Sequence, residues 1–369
     1  TERSAANALV EGARSRTWGE LSERSARVAN ALLAAGITAQ DRVAFLDKNS
    51  IEHFEVFYGC SLINAVSVDI NWRLAGPEVE FIVNDSAAKV LIAHADFLPV
   101  IEAIRPNLTH TRLIVFVGGS GGDLEYDAWL AGSSTVDPGV VSTSDDVAFQ
   151  LYSSGTTGRP KGVMLTNINF FCLLPGARTF WKLSEDMVNL VAMPLFHIGG
   201  GGWATAGQYV GCSSIILRDM DPNAVITLIE EHKITHGFLV PAVLQFMLMM
   251  PSVKTTDFSS LRLMVYGASP ISLEVLTNSV EAFKCDFMQV YGLTETTGAT
   301  TLLPAEDHNP TGPNAHRLRS CGVPAPGVEI HIIDTATGKQ MPTGEVGEIW
   351  CKSPQVMKGY WNNPRSEER

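Results

Sequence analysis

A basic excess is missing from this sequence: 27 Lys and Arg stand against 39 Asp and Glu, for a formal net charge of -12. Nucleic-acid binders carry a basic footprint, so no nucleic-acid partner is expected. Also missing is any CxxC pair, since the six cysteines (60, 172, 212, 285, 321 and 351) are scattered along the chain. That excludes a short disulfide framework and fits a reducing compartment, so a cytoplasmic location is expected. One stretch, 189–217, lacks Asp, Glu, Lys and Arg altogether. Pro194, the glycines 199–202, Gly207 and Gly211 interrupt it, so the expectation is a buried strand, turn and helix rather than a transmembrane segment. Peripheral contact with a membrane stays compatible with this composition.

What is present describes a globular enzyme-sized chain. Its 369 residues are 45% hydrophobic and 18% charged, enough for about two to three domains with buried cores. Apolar strands alternate with amphipathic stretches: DRVAFL, then helical IEHFEVFYGCSLI, then NAVSVDI, helical PEVEFIVNDS, and KVLIAH and RLIVFV around helical DFLPVIEAIRP. After a linker at 133–146 comes a second set, with strands DVAFQLY, NLVAMP, SSIIL, THGFLV, RLMVYG and DFMQVYG. Thr166 is a candidate N-cap between the first two. This rhythm predicts an α/β fold with mainly parallel sheets. The boundaries expected are a first α/β lobe at 1–140, a second at 141–319, and a small β-barrel-like subdomain at 320–369, where short strands alternate with Gly-rich turns.

Three motifs carry chemistry. YSSGTTGRPKG (152–162) sets backbone N–H groups, hydroxyls and one ammonium around a proline, which suits a phosphate. A flexible surface loop explains the same composition, and the spacing is not that of a GxxxxGK[ST] P-loop. YGLTETTGA (291–299) follows the strand DFMQV and places Tyr, Thr and Glu at the carboxyl edge of a sheet, where ligands bind in open α/β folds. A carboxylate about 4 Å from a phosphate oxygen costs about 4 kcal/mol at an effective dielectric of about 20. Glu295 therefore lies away from the phosphate or holds a cation, Mg²⁺ being the one that accompanies nucleotides. MPLFHIGGGGWA (193–204) joins a lone His to four glycines, and VYGASP (265–270) is another strand-to-turn junction where a flat group fits. His232 and His236 are not expected to hold a metal, because no third ligand is near.

Taken in order, YSSGTTGRPKG, FHIGG, YGASP, YGLTETTGA and GEVGEIWCKSPQVMKGYW resemble the acyl- and aryl-CoA synthetase branch of the adenylate-forming enzymes, from about Thr17 to the chain end. The resemblance implies ATP, Mg²⁺, coenzyme A and a small-molecule carboxylic acid as partners, with a fatty acid the first choice. It implies that Ser153, Ser154, Gly155, Thr156, Thr157, Gly158 and Lys161 form the loop over the β- and γ-phosphates. Tyr291, Gly292 and the Gly267-Ala268-Ser269 backbone would sandwich adenine, with Gln289 at its amino edge. Thr294 would touch the α-phosphate, Glu295 hold Mg²⁺ and His197 gate the carboxylate. Gly199, Gly200, Trp203 and Val240 would begin the acyl pocket, opened by the glycine run for a bulky or long tail.

The resemblance also implies a continuation past NNPRSEER, with a ribose-binding Asp and a small C-terminal domain bearing a catalytic Lys, so this chain is expected to bind nucleotide but adenylate poorly. His197 stands where adenylation domains for amino acids carry an Asp, and an ammonium buried without a carboxylate is costly, so an amino acid substrate is disfavoured. Aryl or steroid-type acids and a luciferase-like reaction fit the same motifs. A Ser154/Lys161 hydrolase and a nucleotide-sensing module are the alternatives of a different class.

Overall fold

A computed structural model describes residues 3–119, 121–153 and 159–364. Its first long helix, Trp18–Ala34, starts at a capping box: the Thr17 amide donates to Glu20 Oε2 at 2.8 Å and the Glu20 amide to Thr17 Oγ1 at 3.2 Å. Leu21, Val28, Ala29 and Leu32 form its buried stripe, at the spacing that keeps one helical face against the core. That face packs on the helix Ile51–Leu62, where Gly59 lets the Val28 side chain approach.

Two large sheets organise the chain. The eight-stranded sheet runs in the order Gly359–Tyr360, Lys161–Thr166, Val147–Ser153, Val66–Asp69, Arg42–Leu46, Val90–His94, Leu113–Val117 and Leu124–Glu125. The nine-stranded sheet runs Val323–Pro324, Gly298–Leu303, Asp286–Leu293, Leu263–Gly267, His236–Leu239, Val188–Val191, Ser213–Ile216, Asn7–Glu11 and Arg14–Thr17. The interior strands of both are parallel and the outermost pairings at one or both edges are antiparallel. Parallel strands covered on both faces are buried along their length and mostly apolar, as Arg42–Leu46 and Leu263–Gly267, buried at every residue, illustrate.

Sheet membership does not follow the expected division at residue 140. The strand Val147–Ser153 pairs in parallel with Val66–Asp69, so it and its hairpin partner Lys161–Thr166 belong to the first sheet. Asn7–Thr17 in turn joins the second sheet through Leu9↔Ser214. Such pairings are non-local and leave no trace in local periodicity. The last segment is also not a barrel. Among the described residues it is one antiparallel ladder, Glu329–Ile333 with Glu348–Lys352, while its flanking strands are given to the two large sheets.

The carboxyl ends of the two sheets face each other through buried polar ties. Asn49, beyond the strand Arg42–Leu46, donates from Nδ2 to the carbonyls of Met193 and Leu217 at 3.1 Å each and accepts from the Leu195 amide at 3.0 Å. Arg218 grips Asp47 with two N–H bonds of 2.7 and 3.1 Å. All of these residues follow strand ends, so the crevice between the lobes is built where an open α/β sheet presents its ligand-binding edge. All six cysteines are free thiols. Among the described residues no helix is long and apolar enough to cross a membrane.

Candidate active site

The hairpin of Val147–Ser153 and Lys161–Thr166 pairs Ser153 directly with Lys161 across its tip. Ser154, Gly155, Thr156, Thr157 and Gly158 lie outside the described residues, but both flanks of their loop are fixed. Ser153 Oγ donates to Glu295 Oε1 at 3.0 Å, and the Tyr360 hydroxyl donates to the same oxygen at 2.9 Å. The Lys161 ammonium sits 5.0 Å from the centre of the Tyr360 ring. The Met357 amide bonds the Glu295 carbonyl at 2.8 Å, and Gln355 donates to the Ala299 carbonyl at 2.9 Å. The segment 355–360 thus clamps the turn that carries Thr294 and Glu295 against the hairpin.

In front of this cluster lies a polar cleft of about 350 Å³ whose walls include Asp69, Glu78, Ser153, His197 and Thr294. His197 caps the helix Ile198–Tyr209 from outside, its ring 4.4 Å from that of Phe196. His197 keeps an exposed edge, and partial loss of hydration together with the nearby Arg73 guanidinium lowers its pKa, so the imidazole is neutral near pH 7. On the cleft wall, Asp69 Oδ2 lies 3.3 Å from His53 Nδ1, both side chains being buried. Burial pushes the Asp69 carboxyl up and brings His53 down to about 3, so the pair is held without net charge.

From Ile198 onward the chain lines a second, apolar pocket of about 90 Å³, whose walls include Gly199, Trp203, Phe238, Ala268, Tyr291 and Gly292. A Cβ at Gly292 would stand 1.4 Å from the Gly298 carbonyl oxygen, so only glycine lets the strand end fold back on the Thr294–Gly298 turn. Trp203 donates from Nε1 to the Leu190 carbonyl at 3.1 Å and meets Trp181 edge-on at 5.7 Å, which fixes the pocket wall.

The family described as AMP-binding enzyme matches residues 1–361. The chain belongs to the AMP-binding enzymes. Its relatives place it with their acyl- and aryl-CoA ligases. It is 38% identical over 363 residues to the fatty acid–[acyl-carrier-protein] ligase ScoC of Streptomyces coeruleorubidus, covering 96% of this chain and 67% of that protein. It is 33% identical to the feruloyl-CoA synthase of an Amycolatopsis species, covering 98% and 70%. Among solved structures, the anthranilate CoA ligase AuaEII in complex with anthranoyl-AMP superposes with a TM-score of 0.93 at 29% identity, over 100% of this chain and 70% of that one.

Within this AMP-binding enzyme the residues singled out from sequence fall into three groups. Ser153, Lys161, His197, Thr294 and Glu295 gather at or beside the polar cleft. Gly199, Trp203, Ala268, Tyr291 and Gly292 line the apolar pocket, with Gly267 ending the strand beside it and Ser269 exposed just beyond. Gln289 lies one turn of the pleat earlier, between Tyr266 and Leu303 of the neighbouring strands, and lines neither cavity.

Gly200 and Val240 do not line the pocket. A Cβ at Gly200 would lie 2.1 Å from the Pro194 carbonyl oxygen, so this glycine serves helix packing, and Val240 caps the helix Pro241–Met249 while Phe238 takes its place at the wall. The glycine run therefore does not open a wide channel; Trp181, Trp203 and Phe238 close it to a small volume. Sequence reading assigned no role to Tyr360. Its signal was present in the GYW that ends the last motif, yet its partner Glu295 is 65 residues away.

Proposed function

We propose that this site activates a compact apolar carboxylic acid, a short-chain fatty acid or an aryl acid, with ATP, and passes the acyl group to the thiol of coenzyme A. The observation that carries the reading is the convergence of Ser153, Lys161 and Thr294 beside Glu295, with an apolar pocket of about 90 Å³ that begins at Ile198, the residue after His197. A carboxylate oxygen attacks the α-phosphorus of ATP, the bond to pyrophosphate breaks, and an acyl-adenylate results. A thiolate then attacks the acyl carbon and AMP leaves.

Each residue serves alignment or charge neutralisation. Lys161 and the loop 154–158 hold the β- and γ-phosphates, and charge-assisted contacts of this kind are worth about 1.5–3 kcal/mol each. Thr294 donates to the α-phosphate. His197, neutral, lies against the reacting carboxylate without burying a competing charge. Glu295 suits Mg²⁺, which is commonly held by one or two carboxylates together with substrate phosphates. When bound, the ion supplies charge neutralisation at the phosphates. Ser153 and Tyr360, both on Oε1, orient that carboxylate.

The closed pocket supports a compact acid over a long one, as does the likeness to a chain that holds anthranoyl-AMP. Calorimetric titration of ATP with and without Mg²⁺ tests the assignment of Glu295. Mg²⁺ is expected to strengthen ATP binding to the wild type and to leave Glu295→Gln unmoved. An equal Mg²⁺ response in that variant would remove Glu295 from the role.

A further inference from the structure

Arg42 opens the strand Arg42–Leu46 and is only 9% exposed, yet among the described residues no carboxylate forms an ion pair with it. Burial lowers its pKa to about 10, so the guanidinium is still charged at pH 7. A cation taken out of water needs compensation. Nη1 donates to the Gln40 carbonyl at 2.7 Å, and Nε to Gln150 Oε1 at 3.4 Å. The rest comes from an aromatic face. The guanidinium stands 3.5 Å from the centre of the Trp361 ring, well inside the distance at which a cation is drawn to an indole.

Trp361 is tied at both ends. Its amide donates to the Gly162 carbonyl at 2.7 Å, and its indole Nε1 to the Asp85 carbonyl at 2.8 Å. The Asp85 carboxylate in turn accepts from the Tyr152 hydroxyl at 2.7 Å, and Gln150 Nε2 donates to that hydroxyl at 3.2 Å. Gln150, Tyr152 and Gly162 belong to the hairpin that pairs Ser153 with Lys161 at its tip, with Tyr152 standing opposite Gly162. A Cβ at Gly162 would lie 2.6 Å from Gln150 Nε2 and 3.2 Å from Tyr152 Cζ, so only glycine leaves room for these two side chains. Arg42, Asp85 and Trp361 thus hold the hairpin just below its tip. The residue before Trp361 is Tyr360, whose hydroxyl bonds Glu295 and whose ring centre lies 5.0 Å from the Lys161 ammonium.

We propose that Arg42 and Trp361 are positioning residues for the reaction: their stacked pair locks the end of segment 355–361 onto the hairpin and so sets Tyr360 against Glu295 and Lys161. Two further ties of the segment, Lys358 on Asp145 and the Met357 amide on the Glu295 carbonyl, lie on the N-terminal side of Tyr360. On the other side the stacked pair and the two Trp361 hydrogen bonds hold it. Without them Tyr360 is fixed from one side and by its short pairing with Val163. Its hydroxyl then wanders where groups that handle charge must be held to within about 0.5 Å. This inference rests on the assignment of Lys161 and Glu295 to ATP and Mg²⁺.

The test is a double-mutant cycle read by calorimetric titration of ATP at a series of Mg²⁺ concentrations. Trp361→Leu should raise the Mg²⁺ concentration needed for half-maximal strengthening of ATP binding about fivefold, the effect of one lost hydrogen bond to Glu295. Tyr360→Phe should do the same. The double variant should be no worse than the larger single one, because both changes act through one hydroxyl. Arg42→Met should match Trp361→Leu and carries the cycle if that variant does not fold. Trp361→Phe, which keeps a ring over Arg42, should restore most of the Mg²⁺ response. A purely structural role would lower the denaturation midpoint and leave the Mg²⁺ requirement unmoved. That result, or additive effects of the two substitutions, would overturn the proposal. If wild-type ATP binding itself ignores Mg²⁺, the assignment of Glu295 is what fails. Positioning is then read without nucleotide, by amide hydrogen exchange: Trp361→Leu should speed exchange in the turn 293–298, and exchange quickened only at 358–364 would overturn it.

Discussion

The polar cleft, which takes in His197, and the apolar pocket, which takes in Ile198 and Gly199, are neighbours along the chain but are made in different ways. The cleft takes its polar groups from two strand ends (Asp69, Ser153), a helix (Glu78) and the turns that carry His197 and Thr294, and beside it Ser153 and Tyr360 both bond Glu295. The pocket is assembled from packing: two Trp rings, Phe238 and backbone that only glycine permits. The difference teaches where specificity resides. Phosphate chemistry is common to every acid such an enzyme activates, and it needs charges at fixed places. The choice of acid depends on volume, which each wall residue changes by itself.

Substitutions can break this division, and the largest effect is expected on the packing side. Trp203→Ala should cost about 3–5 kcal/mol of stability, read as a lowered denaturation midpoint. The same change should raise affinity for adenylate mimics with longer tails while leaving ATP affinity unchanged. A variant that loses ATP binding in proportion would show that the two regions are not separable. Next in size is a pH effect in the core of the packing lobe. Burial and the neighbouring Arg262 lower His236 to about 4, so the folded chain keeps it neutral while the unfolded chain takes up a proton below about pH 6.5. Stability from this group is intact above about pH 6.5 and falls as the pH drops towards 4, by on the order of 3 kcal/mol. Denaturant titrations across that range should show the fall, and His236→Gln should make it shallower by about that amount, leaving the share that buried His53 contributes.

On the polar side the effects should be functional rather than structural. Lys161→Ala should weaken ATP by roughly 10- to 150-fold, the equivalent of about 1.5–3 kcal/mol, with an unchanged melting temperature. Unchanged ATP affinity would detach Lys161 from the phosphates. The smallest change expected is Tyr360→Phe, which keeps the ring beside Lys161 and removes one of two hydroxyls from Glu295. A loss of about 1 kcal/mol, several-fold in the Mg²⁺ concentration needed for ATP binding, would fit its role as a positioning residue.

The same division explains what could be read from the sequence. Strands such as Arg42–Leu46 and Leu263–Gly267 announce themselves by continuous apolar runs, and Ser153, Lys161, Thr294 and Glu295 by short polar motifs after strands. Both are local signals. The N-terminal strands Asn7–Glu11 and Arg14–Thr17, which close the far edge of the nine-stranded sheet, depend on pairing with Ser213–Ile216 some 200 positions away. The glycines at 199–202 looked like an opening for a ligand; in the fold Gly200 faces the Pro194 carbonyl instead, a contact that no spacing in the sequence encodes. The Asp69–His53 pair likewise exists only because a strand and a helix bring its members together.

The central claim is that a compact apolar acid is activated at the apolar pocket lined by Gly199, Trp203 and Phe238. Calorimetric binding of stable acyl-adenylate mimics with short aliphatic, long aliphatic, aryl and aminoacyl tails tests it most directly. Short aliphatic or aryl tails should bind tightest, with affinity falling as the tail lengthens and lowest for the aminoacyl tail. Tightest binding by the long aliphatic or aminoacyl mimic, or binding by none of them, would contradict the account.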